Sequence, residues 1–100
     1  MPLSLTSKER AGLKGKAHSL APVVQIGKGG LTDAVVTEID KALTAHELIK
    51  VRAGGAEREE RDEWSAAIAG RTNSAAVASI GKVMVFWRPN PDKKKPKPAV

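Results

Sequence analysis

The sequence predicts an α/β domain of order helix, strand, helix, strand, helix, strand, strand, and three observations carry that prediction. Short apolar runs at residues 23–26, 48–52, 76–80 and 83–88 alternate with segments of helical period at 32–45 and 57–70. The first apolar run breaks into Gly27-Lys28-Gly29-Gly30 and then starts a helix, which is the punctuation of a strand-to-helix connection. A length of 100 residues suits one modest hydrophobic core and not two.

The first helix begins at a capping box, Thr6-Ser7-Lys8-Glu9, and should run over residues 7–18. Arg10, Lys14 and His18 fall on one stripe of it, while Leu13 and Ala17 lie on another that can pack inward. Gly12 and Gly15 weaken this helix but would let it lie close against a sheet. Pro22 precedes the first strand, 23–26, whose near-continuous apolar character predicts burial on both faces. In the second helix, 32–45, Leu31, Val35, Val36, Ile39, Ala42 and Leu43 keep helical period, and Asp33 in the first turn suits the helix dipole.

The second strand, 48–52, turns Ile49 and Val51 one way and Leu48, Lys50 and Arg52 the other, so a basic pair stands on one face. Ala53-Gly54-Gly55 ends it, and 57–70 reads as an acidic helix with Trp64, Ala67 and Ile68 inward. The last two strands flank Gly81-Lys82, a hairpin signal. The folded domain is expected to span residues 1–89. The segment 90–100 is rich in proline and lysine, cannot bury apolar area, and is expected to be a disordered basic tail.

Composition removes several classes of function. The chain has no cysteine, which excludes a disulfide framework and thiolate zinc sites. No apolar stretch reaches the length of a membrane span and the N-terminus lacks a signal-peptide pattern, so a cytoplasmic, soluble protein is expected. The net charge of +6 divides into +4 over residues 1–30, −4 over 31–63 and +6 over 64–100. Such polarity predicts a basic face and an acidic back, and a basic face attracts polyanions by steering and counterion release.

The residues with most chemistry in them are Gly27-x-x-Gly30 with Lys28 at the tip. Glycine lets the backbone turn sharply and lets a ligand approach it, and the following helix presents unpaired first-turn amides and a positive dipole end. The spacing is that of the GxxG clamp with which some RNA-binding modules grip a nucleic-acid backbone. A tight turn by itself accounts for the glycines equally well from the motif alone. Nucleotide loops fit less well: a Walker loop needs Gly-x-x-x-x-Gly-Lys-Ser/Thr, and the dinucleotide pattern meets Thr32 where its third glycine should be.

No catalytic or metal site emerges. His18 and His46 lie 28 residues apart in different elements with no further ligands placed near them. The carboxylates Glu57, Glu59, Glu60, Asp62 and Glu63 are interleaved with Arg58 and Arg61 at a helix start, the pattern of a solvated helix face. There is no nucleophile motif, so no enzymatic activity and no cofactor is expected. Aromatics are few, with Trp64 expected in the core and Phe86 and Trp87 on opposite faces of the last strand, so base-by-base reading of a single strand is disfavoured.

Several separated motifs together resemble the CRM domain, the chloroplast RNA splicing and ribosome maturation family, in its single-domain bacterial YhbY form. They are Leu13-Lys14-Gly15-Lys16-Ala17-His18 with Leu20 and Pro22; the run from Val23 through Gly27-Lys28-Gly29-Gly30 to Thr32; His46-Glu47-Leu48-Ile49-Lys50-Val51; and Ile80-Gly81-Lys82 with Arg88-Pro89. The resemblance covers residues 3–89. It implies a four-stranded mixed sheet packed with three helices, similar to the C-terminal domain of bacterial translation initiation factor three. It also implies a non-catalytic RNA-binding protein that associates with precursors of the large ribosomal subunit, here expected to be a monomer.

The RNA contacts implied by the resemblance are Gly27, Lys28, Gly29 and Gly30, with the first-helix basic residues Arg10, Lys14 and Lys16 and with Lys50; the basic residues Arg52 and Lys82 are expected to join them. Three features depart from the family pattern. Gly12 stands where a bulky residue is typical, Asn73 replaces a glycine before the third strand, and residues 53–63 are unusually acidic. The competing reading is a protein-binding adaptor that acts through the acidic segment 57–63.

Overall fold

A computed structural model describes residues 5–27 and 29–89. Lys28 and the expected tail, 90–100, lie outside the described residues. The elements are α1 (Ser7–Ala17), β1 (Val24–Gln25), α2 (Asp33–His46), β2 (Leu48–Arg52), α3 (Arg58–Thr72), β3 (Ala75–Ile80) and β4 (Val83–Trp87). Their order is the one read from the sequence. The four strands form one sheet in the order β1-β2-β4-β3, with β1 parallel to β2 and the other pairings antiparallel, so the sheet is mixed.

Strand alternation assigns the two faces. Ile49 and Val51 of β2 and Met84 and Phe86 of β4 point to one side, where they pack with Val24, Ile26, Ile39, Leu43 and Ile68 under α2 and α3. The opposite side carries a smaller cluster of Ala17, Val77 and Val85, with Leu5, Leu13, Leu48 and Trp87 at its margin, under α1. The result is a three-layer arrangement, two helices on one face and one on the other.

The expected burial of β1 on both faces does not occur. Val24 and Ile26 are buried, but Val23 is 49% exposed and Gln25 is exposed. The reason is that α1 lies over β2, β4 and β3 and leaves the α1-side face of β1 uncovered. Gly12 and Gly15 also do not serve close packing. Both are exposed with no neighbour within 4 Å of a built Cβ, and the helix approaches the sheet through Ala17 and Leu13.

The cap geometry follows the sequence. Thr6 Oγ1 accepts from the Glu9 amide at 3.1 Å while Glu9 Oε1 accepts from the Thr6 amide at 3.0 Å. The bond from the Thr6 amide to the carboxylate, and after it the Thr6 hydroxyl beside that carboxylate, hold the Glu9 carboxyl below its usual pKa. Asn73 takes the left-handed conformation at the end of α3, φ 52°, and its amide donates to Ala69 O, so it does what the typical glycine would do. Glu47 also has a positive φ, 65°, though not the left-handed helical ψ, and is held from both sides: its amide donates to Leu43 O at 2.9 Å and its carbonyl accepts from the Arg88 amide at 2.8 Å.

Candidate nucleic-acid interface

The strand directions bring three connections to one edge of the sheet. β1 and β2 are parallel and end side by side, with Gln25 opposite Arg52, and Arg52 in turn lies opposite Val83 at the start of the antiparallel β4. The β1–α2 glycine loop, the β2–α3 loop with Gly54 and Gly55, and the β3–β4 turn with Gly81 and Lys82 are therefore neighbours. The hydrogen bond from the Ala53 amide to Lys82 O, 2.7 Å, ties the last two together.

Within the first loop the Gly30 amide donates to Gly27 O at 3.0 Å, closing a one-turn bend. Gly30 has φ +75°, and a Cβ built there would stand 3.5 Å from Trp64 Cζ2. This glycine is required by the fold, because other residues pay to be left-handed. Gly27 and Gly29 differ. Neither has a positive φ; a Cβ on Gly27 would meet nothing within 4 Å, and one on Gly29 would meet only Thr32 Cγ2 at an ordinary 3.8 Å. Nothing inside the protein demands glycine at these two positions, and both are exposed.

The loop leads into α2, whose N-cap Thr32 accepts from the Val35 amide at 3.2 Å. The first-turn amides and the positive end of the dipole thus face the loop. Asp33 in that turn is paired at 2.7 Å with Arg71, so its charge is partly offset. Between the first and second glycine loops lies an open cleft of about 660 Å³, lined by Gln25, Ile26, Leu31, Ala56, Glu60 and Trp64 together with the glycines. Trp64 is half-buried; it packs against the core from the margin and turns part of its surface to the cleft, where the sequence had placed it fully inward.

The basic residues singled out from the sequence divide into three groups. Arg52 is exposed, with its Nε close to Gly54, and Lys82 is exposed at the hairpin tip, so both stand on the edge that carries the glycine loops. Arg10 and Lys50 are engaged inside the protein. Arg10 Nη1 donates to Ala76 O at 2.7 Å and Val77 O at 3.4 Å, across the bulge of the outer strand β3, and Lys50 Nζ donates to Leu20 O at 2.9 Å. Lys14 and Lys16 are exposed on α1, and Lys16 lies beside Leu48 and His46, toward the opposite end of β2.

Sequence reasoning missed the second glycine loop as a wall of the site, and with it Glu60 and the cleft-facing side of Trp64. The signal available was Gly54-Gly55 directly after a strand; what it lacked was any sign that this strand lies beside β1. Among the described residues, no group of three His, Cys, Asp or Glu side chains is placed to hold a metal ion. Among the same residues, no helix is long and apolar enough to cross a membrane. The charge division is visible in space: α1 carries Lys8, Arg10, Lys14 and Lys16 against Glu9, while α2 and the start of α3 carry most of the acids.

The sequence pattern of the CRS1 / YhbY (CRM) domain matches residues 5–88. A Haemophilus influenzae protein named "RNA-binding protein" is 45% identical over 91 residues, covering 91% of this chain and 92% of that protein. The Bacillus subtilis "Probable RNA-binding protein YqeI" is 36% identical over 90 residues, covering 90% of this chain and 94% of its own. The solution structure of the Staphylococcus aureus protein SAV1595 superposes with a TM-score of 0.79 at 33% identity, covering 87% of this chain and 91% of that one.

Proposed function

This chain belongs to the CRS1/YhbY (CRM) domain family, and from that premise we propose that it is a non-catalytic protein that grips the phosphate backbone of structured RNA. The grip uses Gly27, Lys28, Gly29 and Gly30 with the positive end of α2, flanked by Arg52 and Lys82. Its RNA is ribosomal, from the precursor of the large subunit, and it acts as a monomer in the cytoplasm. Arg10 and Lys50 serve this surface indirectly, by fixing α1 and the preceding loop to the sheet, and Lys14 and Lys16 extend the positive field beyond the grip.

The observation that carries the reading is the pair Gly27 and Gly29, glycines that neither backbone conformation nor packing requires. A bare backbone there is accounted for by something that approaches from outside, and beside a helix N-terminus that something is an anion. The names of the relatives, RNA-binding proteins, agree with a nucleic-acid phosphate.

The test is affinity for a large-subunit ribosomal RNA fragment as a function of salt, together with sedimentation of a cell lysate through a sucrose gradient. Affinity should fall steeply and log-linearly with salt, by about one unit of slope per phosphate contact, and the protein should travel with large-subunit precursors. An adaptor acting through residues 57–63 would instead show no substantial RNA affinity even at low salt, and that result would overturn the proposal.

A further inference from the structure

The cleft between the two glycine loops is poorly suited to phosphate itself. Glu60 stands on its wall, and a carboxylate repels a phosphate brought beside it. A phosphate held at the Gly27 loop and the α2 N-terminus leaves the cleft beside them to whatever hangs from that backbone. Besides Gln25, the cleft's other walls are the half-buried indole of Trp64, the apolar Ile26, Leu31 and Ala56, and bare glycine backbone, surfaces against which a flat heterocycle can lie. At about 660 Å³ the cleft has the size of a small-molecule site and is open to solvent on one side.

Resting on the RNA-binding reading above, we propose that this cleft receives one unpaired guanine of the bound RNA, stacked toward Trp64 and read by Glu60. The choice of base follows from hydrogen-bond chemistry. An ionised carboxylate only accepts, through two adjacent oxygens. Guanine alone presents two neighbouring donors, N1–H and the N2 amino group, on its Watson–Crick edge. Adenine and cytosine each set a ring acceptor beside their amino donor, which would face a carboxylate oxygen, and uracil offers one N–H between two carbonyls. Unpaired bases in loops and bulges are where proteins read RNA, by stacking and by their Watson–Crick edges.

An acid in the first turn of α3 also has an ordinary explanation, the helix dipole. Glu59, in the same turn, satisfies the dipole equally and does not line the cleft. That difference supplies the control. The experiment uses the full chain with Trp87→Phe, so that Trp64 is the sole indole, and short RNA hairpins identical except for one loop nucleotide: guanosine, inosine, adenosine or uridine. Affinity is read by anisotropy of labelled RNA and stacking by quenching of Trp64 fluorescence.

Guanosine should bind about tenfold tighter than adenosine or uridine, with inosine, which keeps N1–H and lacks the amino group, in between, and guanosine should quench Trp64 most. Glu60→Gln should lose the preference while keeping or gaining overall affinity, because a negative charge is removed. Glu59→Gln should gain affinity without losing the preference. The inference is overturned if all four hairpins bind the parent alike, or if Glu60→Gln and Glu59→Gln raise affinity alike with the preference intact. Tight binding of free guanosine monophosphate, with Trp64 quenched as strongly as by the hairpin, overturns it in favour of a nucleotide site. If no hairpin binds the parent even at low salt, the phosphate grip itself fails, an outcome distinct from binding without base preference.

Discussion

Two adjacent glycines of the first loop should respond to the same substitution with opposite signs, and this separates folding from binding. Gly30 sits at φ +75°, where alanine costs about 1–2 kcal/mol. Its new Cβ would stand 3.5 Å from Trp64 Cζ2, an ordinary contact, so no steric term adds to that cost. For a domain of this size about 1 kcal/mol corresponds to roughly 4–8 °C of melting temperature. Gly29 has no positive φ and room for a methyl group at 3.8 Å from Thr32 Cγ2. Gly29→Ala should thus stabilise by about 0.4–1 kcal/mol, because it restricts the unfolded chain.

RNA affinity should run the other way at position 29. Gly29→Ala should weaken binding, and Gly29→Asp should abolish most of it by placing bulk and negative charge where backbone amides meet phosphate, in a protein that still melts within a few degrees of the parent. The assays are thermal unfolding by circular dichroism and RNA anisotropy on the same preparations. If Gly29→Ala lowers stability as Gly30→Ala does, the distinction between the two glycines is wrong. A folded Gly29→Asp protein with parental affinity for RNA would show the loop to be a turn and nothing more.

Arg10→Ala should cost about 1–2 kcal/mol in urea unfolding, since the carbonyls of Ala76 and Val77 lose their donor, while the salt slope of RNA binding changes little. Arg52→Ala should do the reverse, leaving stability within about 0.5 kcal/mol and reducing that slope by about one unit. Arg88→Ala should be among the most damaging changes, about 2–3 kcal/mol. Its guanidinium joins Asp40 Oδ1 at 2.5 Å, Asp40 O at 3.0 Å, Thr44 Oγ1 at 2.8 Å and Thr72 O at 2.8 Å, with a side chain only 19% exposed. Glu9 has a lowered pKa in the folded protein, so its contribution is present above the unfolded glutamate value of about 4.3 and is lost as pH falls through the lower folded value. The acid arm of the melting curve should accordingly be shallower in Glu9→Gln than in the parent.

The local signals in the chain determined the order of elements, the capping box at Thr6 and Glu9 and the glycine loop in front of α2. Each of these depends on bonds or periodicity spanning only a few residues, so the residue types suffice to specify them. The sequence also divided the charge, because α1 is basic and α3 begins acidic along contiguous stretches. Tertiary structure alone decided which groups are left over for a ligand. Arg10 and Lys50 look like free cations in sequence, yet their acceptors lie 66 and 30 residues away and exist only once α1 and the loop before β1 are docked on the sheet. Gly54, Gly55, Glu60 and Trp64 join the first glycine loop because β1 and β2 pair in parallel as neighbours. That pairing is a register between distant strands, set by the whole core at once, and no stretch of the chain read by itself contains it.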